Sequence, residues 1–398
     1  MKDVSETIAW LTEGAHNAHV PQALMEELCG RLIAAGIPLD WAAIFVRTLH
    51  PDIAGRSLIW RPGQPAELDE AGYDLLASEQ FLASPSIWVR RTGTALRRRL
   101  DGDAVAAEFP ILGKLRSEGF SDYFATPLPF GDGQIPVVSW ATRRPAGFAD
   151  GDLAALTAVA PPLARVAEIR GLRRMLETLL QTYIGRHASA RVLAGHIRRG
   201  DTQSIHAAIW LSDLRGFTAL ADRVAPPELI GLLNRYFDSR VPAIEARDGE
   251  VLKFMGDGLL AIFPIADGEP GRGCAAALAA GREARANILA LRRELTAERS
   301  HDLPFSLALH VGEVLYGNVG GGRRLDFTVI GPAVNLTARL ERLARDLGRS
   351  VIASAEFAGT CGEILAPLGS YVLRGIAAAQ PAFGLADESA PAVSNVDL

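Results

Sequence analysis

Two carboxylates follow apolar strand patterns in this sequence, where a rigid backbone could hold them for chemistry. Asp213 comes directly after the buried-strand pattern of residues 207–211, and a helix opens at Gly216. Asp257 lies in a Gly-Asp-Gly turn between two short apolar strands, which is a hairpin signal because these residues tolerate positive φ. Two such carboxylates can hold a pair of divalent cations that clamp the attacking and leaving oxygens of a phosphoryl displacement. The structural alternatives are an N-cap role for Asp213 and a plain turn role for Asp257.

The loop after Asp213 offers a means of binding phosphate. It enters a helix, and the backbone N–H groups at a helix N-terminus point outward and attract phosphate groups. A strand-end carboxylate beside them suits Mg²⁺, which takes one or two carboxylates together with phosphate oxygens. The pattern therefore favours a site for a metal-bound polyphosphate.

Three further residues offer charge or hydrogen bonds. Lys253 lies in the strand before the Asp257 turn, in a chain that otherwise uses lysine only at positions 2 and 114. Asn335 and Arg339 are four residues apart, so they share one face of a predicted helix. An arginine that reaches the charge developing on a transferred phosphorus stabilises it strongly. Taken alone, the Asn335–Arg339 pair is better explained as a solvated polar stripe.

Taken together, three segments closely resemble the signature blocks of class III nucleotidyl cyclases. The segments lie in the family's order and with family-like separations, and the resemblance covers roughly residues 200–385. It implies a ferredoxin-like, palm-type α/β domain that works as a head-to-tail homodimer. The segments are Leu-Ser-Asp-Leu-Arg-Gly-Phe-Thr (211–218), Lys-Phe-Met-Gly-Asp-Gly (253–258) and Thr-Val-Ile-Gly-Pro-Ala-Val-Asn-Leu-Thr-Ala-Arg (328–339).

The resemblance implies a metal and phosphate site. Asp213 and Asp257 match the two metal-binding aspartates, with Leu214 as a further metal contact, and two Mg²⁺ or Mn²⁺ ions are expected in each active site. The backbone of residues 214–218, including Phe217 and Thr218, is expected to hold the β- and γ-phosphates.

The resemblance also implies how the nucleoside is bound. Lys253 and Thr328 match the positions that recognise the purine. Asn335 and Arg339 match the positions that orient the ribose and stabilise the transition state. Arg374, in Leu-Arg-Gly, is a candidate phosphate contact.

The pair formed by Lys253 and Thr328 bears on the choice of nucleotide. Lys with Asp is the commoner adenine-selecting pair in this family, whereas Thr at the second position resembles a subgroup that includes bicarbonate-responsive adenylyl cyclases. The lysine ammonium can donate to adenine N1, and the threonine hydroxyl can accept from the N6 amino group. A hydroxyl is also a donor, so Thr328 rejects guanine less firmly. The Glu and Cys typical of guanylyl cyclases at these positions do not occur here.

Composition sets the broad class of the protein. A chain of 398 residues with 48% hydrophobic and 22% charged residues is expected to form two or three soluble domains. The net charge of −5 gives no reason to expect a nucleic acid partner. No signal peptide or apolar stretch of membrane-spanning length is found, so a cytoplasmic location is expected. The three cysteines are far apart and lack CxxC spacing, which predicts neither a disulfide framework nor a zinc site.

Residues 1–160 resemble a GAF-type sensory domain in their pattern of strands and helices. The resemblance rests on the strand at residues 135–142, the Gly-Phe-Ala-Asp-Gly-Asp turn at 147–152 and the exit helix that follows. It implies a regulatory unit, with an unknown small molecule or bicarbonate as its effector. Cys29 and His50 as haem or metal ligands are disfavoured, because a real site needs more ligands than either lone residue offers.

Residues 161–199 read as a signalling helix and linker, and residues 386–398 as a flexible tail. Within residues 200–385, a single helix over Pro226–Ala246 and a strand over Tyr371–Arg374 are predicted. The signalling helix carries an apolar stripe that fits a short parallel coiled coil, but a core helix would show the same stripe. The stripe consists of Ile169, Leu172, Leu176, Leu179 and Tyr183.

These inferences point to a homodimeric adenylyl cyclase regulated by an N-terminal sensor. The expected reaction converts ATP to 3′,5′-cyclic AMP and pyrophosphate by two-metal, in-line attack, with active sites shared between chains. The alternatives are a guanylyl cyclase and a catalytically silent regulatory protein with a cyclase fold. A diguanylate cyclase is disfavoured, because no Gly-Gly-Asp/Glu-Glu-Phe block is present.

Overall fold

The structure, a computed structural model, describes residues 2–101, 108–265, 269–297, 301–322 and 324–388. The chain divides into an N-terminal unit, Met1–Leu179, and a C-terminal unit, Leu180–Leu398. Most of the predicted tail, from residue 389 onward, lies outside the described residues. None of the described helices combines the length and apolar character needed to cross a membrane.

The N-terminal unit contains a six-stranded antiparallel sheet in the order β3-β2-β1-β6-β5-β4. Its described elements are α1 (Ser5–Thr12), α2 (Pro21–Ala34), β1 (Trp41–Arg47), β2 (Gly55–Trp60), β3 (Glu67–Ala71), α3 (Tyr73–Ala77), α4 (Glu79–Leu82), α5 (Pro85–Thr92), β4 (Leu96–Arg99), α6 (Pro110–Ser117), β5 (Asp122–Pro127), β6 (Val137–Thr142) and α7 (Asp150–Ile184).

Helices cover both faces of this sheet. On one face α2 and α7 pack against the strands, with Leu28, Leu156 and Trp140 in one core. On the other face α5 and α6 form a second core with Val89, Leu112 and other side chains. All six residues of β6 are buried, as expected for a strand covered on both faces. This layering is compatible with the predicted GAF-like domain.

Two buried carboxylates of the N-terminal unit are each paired with arginine. Asp122 accepts hydrogen bonds from Arg97 Nη2 at 2.8 Å and from the backbone N–H of Phe148 at 2.9 Å. Asp152, near the N-terminus of α7, accepts from Arg144 Nη2 at 2.7 Å and from the N–H of Ala149 at 2.8 Å. Both pairs fix the turn that leads into α7.

The predicted apolar stripe lies on α7 and is largely exposed. Ile169, Leu172 and Leu176 keep 66%, 53% and 50% of their surface accessible, and Tyr183 keeps 80%. The stripe therefore does not form the face of a buried core helix, and the alternative of a coiled coil with a second chain stays a prediction.

The C-terminal unit contains an eight-stranded sheet in the order β13-β14-β12-β10-β7-β9-β8, with β11 paired to β10. Its described elements are α8 (Arg186–Leu193), β7 (Thr202–Leu214), α9 (Phe217–Ala221), α10 (Pro226–Asp238), α11 (Val241–Glu245), β8 (Glu250–Met255), β9 (Gly258–Pro264), α12 (Pro270–Ala297), β10 (Phe305–Gly321), β11 (Arg324–Ile330), α13 (Pro332–Asp346), β12 (Val351–Ser354), α14 (Ala355–Thr360), β13 (Ala366–Tyr371) and β14 (Gln380–Gly384).

The strand order of the C-terminal unit agrees with the predicted ferredoxin-like fold. The sequence β7-helices-β8-β9-α12-β10 is a βαββαβ unit, and its strands lie in the order β10-β7-β9-β8. The two central strands, β7 and β10, pair over thirteen positions. Long helix α12 packs its buried face on this sheet through Leu278 and Ile288. The mixed α/β fold predicted from the sequence is confirmed.

Two predicted elements of the C-terminal unit were wrong. The helix expected over Pro226–Ala246 is divided into α10 and α11 near Arg240, because Pro242 has no N–H to donate and its ring clashes with the preceding turn. The strand expected over Tyr371–Arg374 lies earlier, at β13. Arg374 lies instead in a turn closed by the bond from the N–H of Ile376 to the carbonyl of Leu373, with Gly375 at a φ of +74°.

Candidate active site

The structure brings the two candidate metal-binding carboxylates together. Asp213 lies near the end of central strand β7, and Asp257 lies at the tip of the β8–β9 hairpin. The N–H of Leu214 donates to Asp257 Oδ2 over 3.3 Å. A Cβ atom on Gly258 would lie 3.4 Å from Asp213 Oδ1, so the hairpin tip rests directly against Asp213. Pairing of β9 with β7 as far as Leu259 and Ser212 sets this approach.

The two carboxylates repel each other. The pKa of Asp257 is raised to about 6, from an ordinary value of 3.8. The largest cause is burial, followed by a hydrogen bond with Asp213 and by the negative charge of Asp213. Two carboxylate groups in such contact are oxygen donors whose repulsion a divalent cation relieves. This donor set therefore fits Mg²⁺ or Mn²⁺. Within the described residues, no cluster of three or more His, Cys, Asp or Glu side chains adds to it.

Arg345 is a neighbour of Asp213 that the sequence reasoning missed. Its Nη1 donates to Asp213 Oδ2 at 3.1 Å, and its Nη2 donates to Glu341 Oε2 at 2.9 Å. Glu341 is buried and also accepts from Ser306 Oγ at 2.5 Å. The i,i+4 spacing of Glu341 and Arg345 predicts their pairing on α13, but only the tertiary fold brings that pair to Asp213.

Arg240 is a second missed residue, and it lies buried close to the aspartates. Its Nη1 donates to Ser212 Oγ at 2.8 Å, and its guanidinium stacks on the Tyr236 ring at 3.7 Å. Its Nη2 and the Tyr236 hydroxyl have no hydrogen-bond partner within the described structure. Burial lowers the pKa of Arg240, while Tyr236, Asp213 and Asp257 oppose that shift. The only sequence signal near this position was Pro242 within the single predicted helix.

The proposed purine-binding residues lie on β8 and β11. Lys253 is half-buried on β8, next to a register shift between Val251 and Lys253. Thr328 is 4% exposed, lies opposite Gly317 of β10, and its Oγ1 has no hydrogen-bond partner in the described protein. A buried hydroxyl without a partner is costly, which suits an atom that awaits a ligand.

Asn335 and Arg339 lie on α13, which begins at Pro332 directly after β11. A Cβ atom on Gly375 would lie 3.4 Å from Arg339 Nη2, so this guanidinium lies beside the turn that contains Arg374. Phe217 and Thr218 begin the short helix α9 after the αL residue Gly216. Its first N–H groups have no intrahelical acceptor, as in every helix.

The site residues of one chain are not all in direct contact through hydrogen bonds. Asp213, Leu214 and Asp257 lie together, as do Arg339 and the Arg374 turn. Across the described parts of the chain, no hydrogen bond joins the carboxylate pair to Lys253, Thr328, Asn335 or Arg339.

The other candidate ligands have structural roles. His50 Nδ1 accepts hydrogen bonds from the N–H groups of Asp52 and Ile53, which closes a turn. Cys29, Cys274 and Cys361 are buried free thiols.

Residues 201–360 match a known catalytic domain. The matching family model is described as the adenylate and guanylate cyclase catalytic domain. This cyclase-like segment contains both aspartates, Lys253, Thr328, Asn335 and Arg339, whereas Arg374 lies beyond it.

Curated proteins and solved structures give related matches to the cyclase-like half of the chain. The chain is 31% identical over 172 residues to "Adenylate cyclase 1" of Rhizobium meliloti, covering 41% of this chain and 25% of that protein. It is 32% identical over 193 residues to an uncharacterized protein of Mycobacterium tuberculosis, covering 48% of this chain and 34% of that protein. The chain thus spans 25% and 34% of the length of these two relatives. The crystal structure of the adenylyl cyclase CyaB from P. aeruginosa is similar with a TM-score of 0.43 and 25% identity, covering 47% of this chain and 97% of that one.

Proposed function

We propose that the C-terminal unit is an adenylyl cyclase that converts ATP to 3′,5′-cyclic AMP and pyrophosphate. The observation that carries this proposal is the contact between Asp213 and Asp257 within a segment that matches a cyclase catalytic domain. The two carboxylates are held against each other, and the pKa of Asp257 is raised to about 6. A bound divalent cation would relieve their repulsion, so this site favours cation binding.

Each site residue then has a role in the reaction. Lys253 and Thr328 bind the purine, and Asn335 orients the ribose. The ribose 3′-oxygen forms a bond to the α-phosphorus, the bond to the β-phosphate oxygen breaks, and pyrophosphate leaves. Arg339 stabilises the added charge of the transition state, and the N–H groups of Phe217 and Thr218, with Arg374, bind the departing phosphates.

Asp213, Leu214 and Asp257 would hold two Mg²⁺ or Mn²⁺ ions. Bound there, the ions supply neutralisation of the polyphosphate charge and a lower pKa for the 3′-hydroxyl. No side chain stands out as a dedicated base, so the 3′ proton is lost near Asp213.

We further propose a homodimer with shared active sites. The base-binding region carries apolar side chains that face solvent in one chain, including Phe254 and Met255 at 53% and 44% exposure and Leu315 and Ile330 at 45% and 42%. Such an exposed group of large apolar residues beside a site is typical of an interface.

The N-terminal unit is proposed to be a GAF-like sensor. A cavity of about 920 Å³ lies between α2, α7 and the sheet, and its lining is mainly apolar, with Leu24, Leu28 and Leu58 among its residues. Pockets of this size and character hold small organic molecules. The cavity therefore favours a small-molecule effector over bicarbonate in this unit.

The decisive experiment offers the purified full chain ATP or GTP with Mn²⁺ and measures the cyclic nucleotide formed. Cyclic AMP is expected from wild type, and Asp213→Ala is expected to abolish its formation. Cyclic GMP as the main product would favour the guanylyl cyclase alternative. No product from either nucleotide would favour a silent regulatory protein, and substantial Mn²⁺-dependent activity in Asp213→Ala would refute the assigned role of that residue.

A further inference from the structure

Glu250 is a buried carboxylate to which the proposed reaction gives no role. It begins β8, is 4% exposed, and forms no ion pair within the described residues. Its Oε2 accepts a hydrogen bond from the Tyr316 hydroxyl at 2.7 Å, and its Oε1 accepts from the N–H of Ala188 at 3.1 Å. Burial raises the pKa of Glu250, against the opposing effects of the Tyr316 hydroxyl, His187 and the Ala188 N–H. A buried carboxylate without an arginine or lysine partner is costly to ionise, so its presence here needs an explanation.

The first contact joins β8, which carries Lys253, to β10, the strand that pairs with the Thr328 strand β11. Glu250 lies three residues before Lys253 on β8. Tyr316 lies on β10 opposite Val329 of β11, one position from the Gly317–Thr328 pair. The Tyr316 ring also meets Phe327, the neighbour of Thr328, edge to face at 4.8 Å. The bond from Tyr316 to Glu250 therefore fixes β8 relative to β10 and β11.

The register shift between Glu250 and Lys253 increases the effect of the Tyr316–Glu250 bond on the direction of the Lys253 side chain. The pairing of β8 with β9 slips between Val251 and Lys253, which leaves one extra residue on β8. Such a bulge re-aims the side chains beyond it. The direction of Lys253 thus depends on how the start of β8 is held, and Glu250 holds it.

The second contact joins β8 to the linker helix α8. Ala188 is the third residue of α8, so Glu250 satisfies one of the N–H groups that a helix start leaves unpaired. Gly185, directly before α8, has a φ of +85°, and a Cβ there would lie 3.3 Å from the Val251 carbonyl and 3.4 Å from Glu250 Oε1. Gly185 follows Ile184, the last residue of α7. A displacement at the end of α7 therefore reaches Glu250 through one residue.

We propose that Glu250 is a positioning residue that couples the linker helix α8 to the two strands that read the purine. It sets the relation between Lys253 and Thr328, and it passes a movement at the end of α7 to that pair. This inference rests on the proposed function, in which Lys253 and Thr328 bind the base.

The test is Tyr316→Phe in the full chain, which removes the hydroxyl and leaves the bond from Ala188 to Glu250. We expect the ratio of kcat/KM for ATP to that for GTP to fall by about three- to tenfold, as for one lost hydrogen bond. The loss should lie in KM for ATP, because the residues that act on phosphorus are untouched. Tyr371→Phe is the matched control, since the Tyr371 hydroxyl donates to the Leu368 carbonyl at 2.7 Å on β13. It should leave the ratio unchanged.

Glu250→Gln is the second variant, in case Tyr316→Phe does not fold. It keeps the shape and an acceptor for Ala188, and it should lower the same ratio. A ratio equal to that of wild type in folded Tyr316→Phe or Glu250→Gln, with only a lower melting temperature, would overturn the proposal and leave Glu250 a structural residue. If wild type cyclises neither nucleotide, the proposed function fails first, and the inference falls with it.

The role of the linker is tested with Gly185→Ala, alone and combined with Tyr316→Phe. If both changes act through Glu250, the combined loss in the logarithm of the ratio should be smaller than the sum of the single losses. Additive losses, or an unchanged ratio in Gly185→Ala, would overturn the coupling to α8.

Discussion

The C-terminal unit contains carboxylates without an arginine partner, in contrast to two buried carboxylates of the N-terminal unit. In the N-terminal unit, Asp122 and Asp152 are each matched by an arginine at 2.8 Å and 2.7 Å. In the C-terminal unit, buried Glu341 is likewise paired with Arg345 at 2.9 Å, but half-buried Asp257 lies against another carboxylate, and buried Glu250 accepts hydrogen bonds from neutral donors only. A buried carboxylate that is paired with an arginine costs the fold less electrostatic energy than an unpaired one. An unpaired carboxylate, by contrast, retains affinity for a cation or a proton. The contrast therefore singles out Asp257 and Glu250 as the carboxylates with a reason other than fold stability to be where they are.

The largest effect is expected in a complementation experiment between two inactive chains, which tests the chemical role assigned to Asp257. Asp257→Ala alone and Lys253→Ala alone should each lose nearly all cyclase activity. A heterodimer of the two, isolated with two different tags, should regain one of its two sites, hence about half the activity of the wild-type dimer. In the head-to-tail arrangement, each chain supplies the carboxylates of one site and the base-binding lysine of the other.

The same variants separate function from stability. Asp257→Ala should unfold at the same urea concentration as wild type or a higher one at pH 7, because the change removes like-charge repulsion. A heterodimer that forms but stays inactive would show that each site is built within a single chain.

The next largest effect is expected from Asp122→Ala, which should destabilise the N-terminal unit by about 3 kcal/mol. The change leaves Arg97 without its carboxylate and frees the turn before α7. Tryptophan fluorescence during urea unfolding reports mainly this unit, because five of the six tryptophans precede residue 180. Activity well below the unfolding midpoint should stay within about threefold of wild type, since Asp122 touches no site residue.

The exposed Asp69 on β3 provides the matched control for that experiment. Asp69→Ala should leave the unfolding curve almost unchanged. A loss of activity in Asp122→Ala without a shift in the unfolding curve would contradict the division into structural and chemical carboxylates.

The smallest effect concerns His310, a buried base of the C-terminal unit. Its Nδ1 lies 2.8 Å from Ser354 Oγ, and burial lowers its pKa below 6.5, against an opposing pull from Glu356. The unfolded chain therefore takes up a proton near pH 6.5 that the folded chain refuses. This contribution to stability is present above pH 6.5 and decreases as the pH falls through that value.

His310→Gln should flatten the decrease in unfolding free energy between pH 7.5 and pH 5.5, measured by urea unfolding. His196→Gln, at an exposed position, serves as the control. Equal pH dependence in wild type and His310→Gln would show that His310 does not contribute to the pH response.

The β8–β9 hairpin and the βαββαβ order of elements could be predicted from the sequence, because apolar runs and the Gly-Asp-Gly turn are local signals. It missed the break at Pro242 and placed a strand over Tyr371–Arg374 instead of β13, because a proline inside a helical pattern and a left-handed glycine decide those ends. It did not find Arg240, Arg345 or the role of Glu250. Their partners lie 28, 132 and 62 or more residues away along the chain, so only the tertiary fold brings them together.

The contact at Gly185 has a consequence for protein engineering. The segment that caps α8 belongs to the C-terminal unit, since Glu250 and Tyr316 lie there, whereas α7 supplies only the residue before Gly185. A chimera that exchanges the segment upstream of Gly185 keeps this cap intact. One that replaces the chain through Ala188 puts at risk the bond from α8 to Glu250 Oε1 and leaves only the Tyr316 hydroxyl to donate to this buried carboxylate.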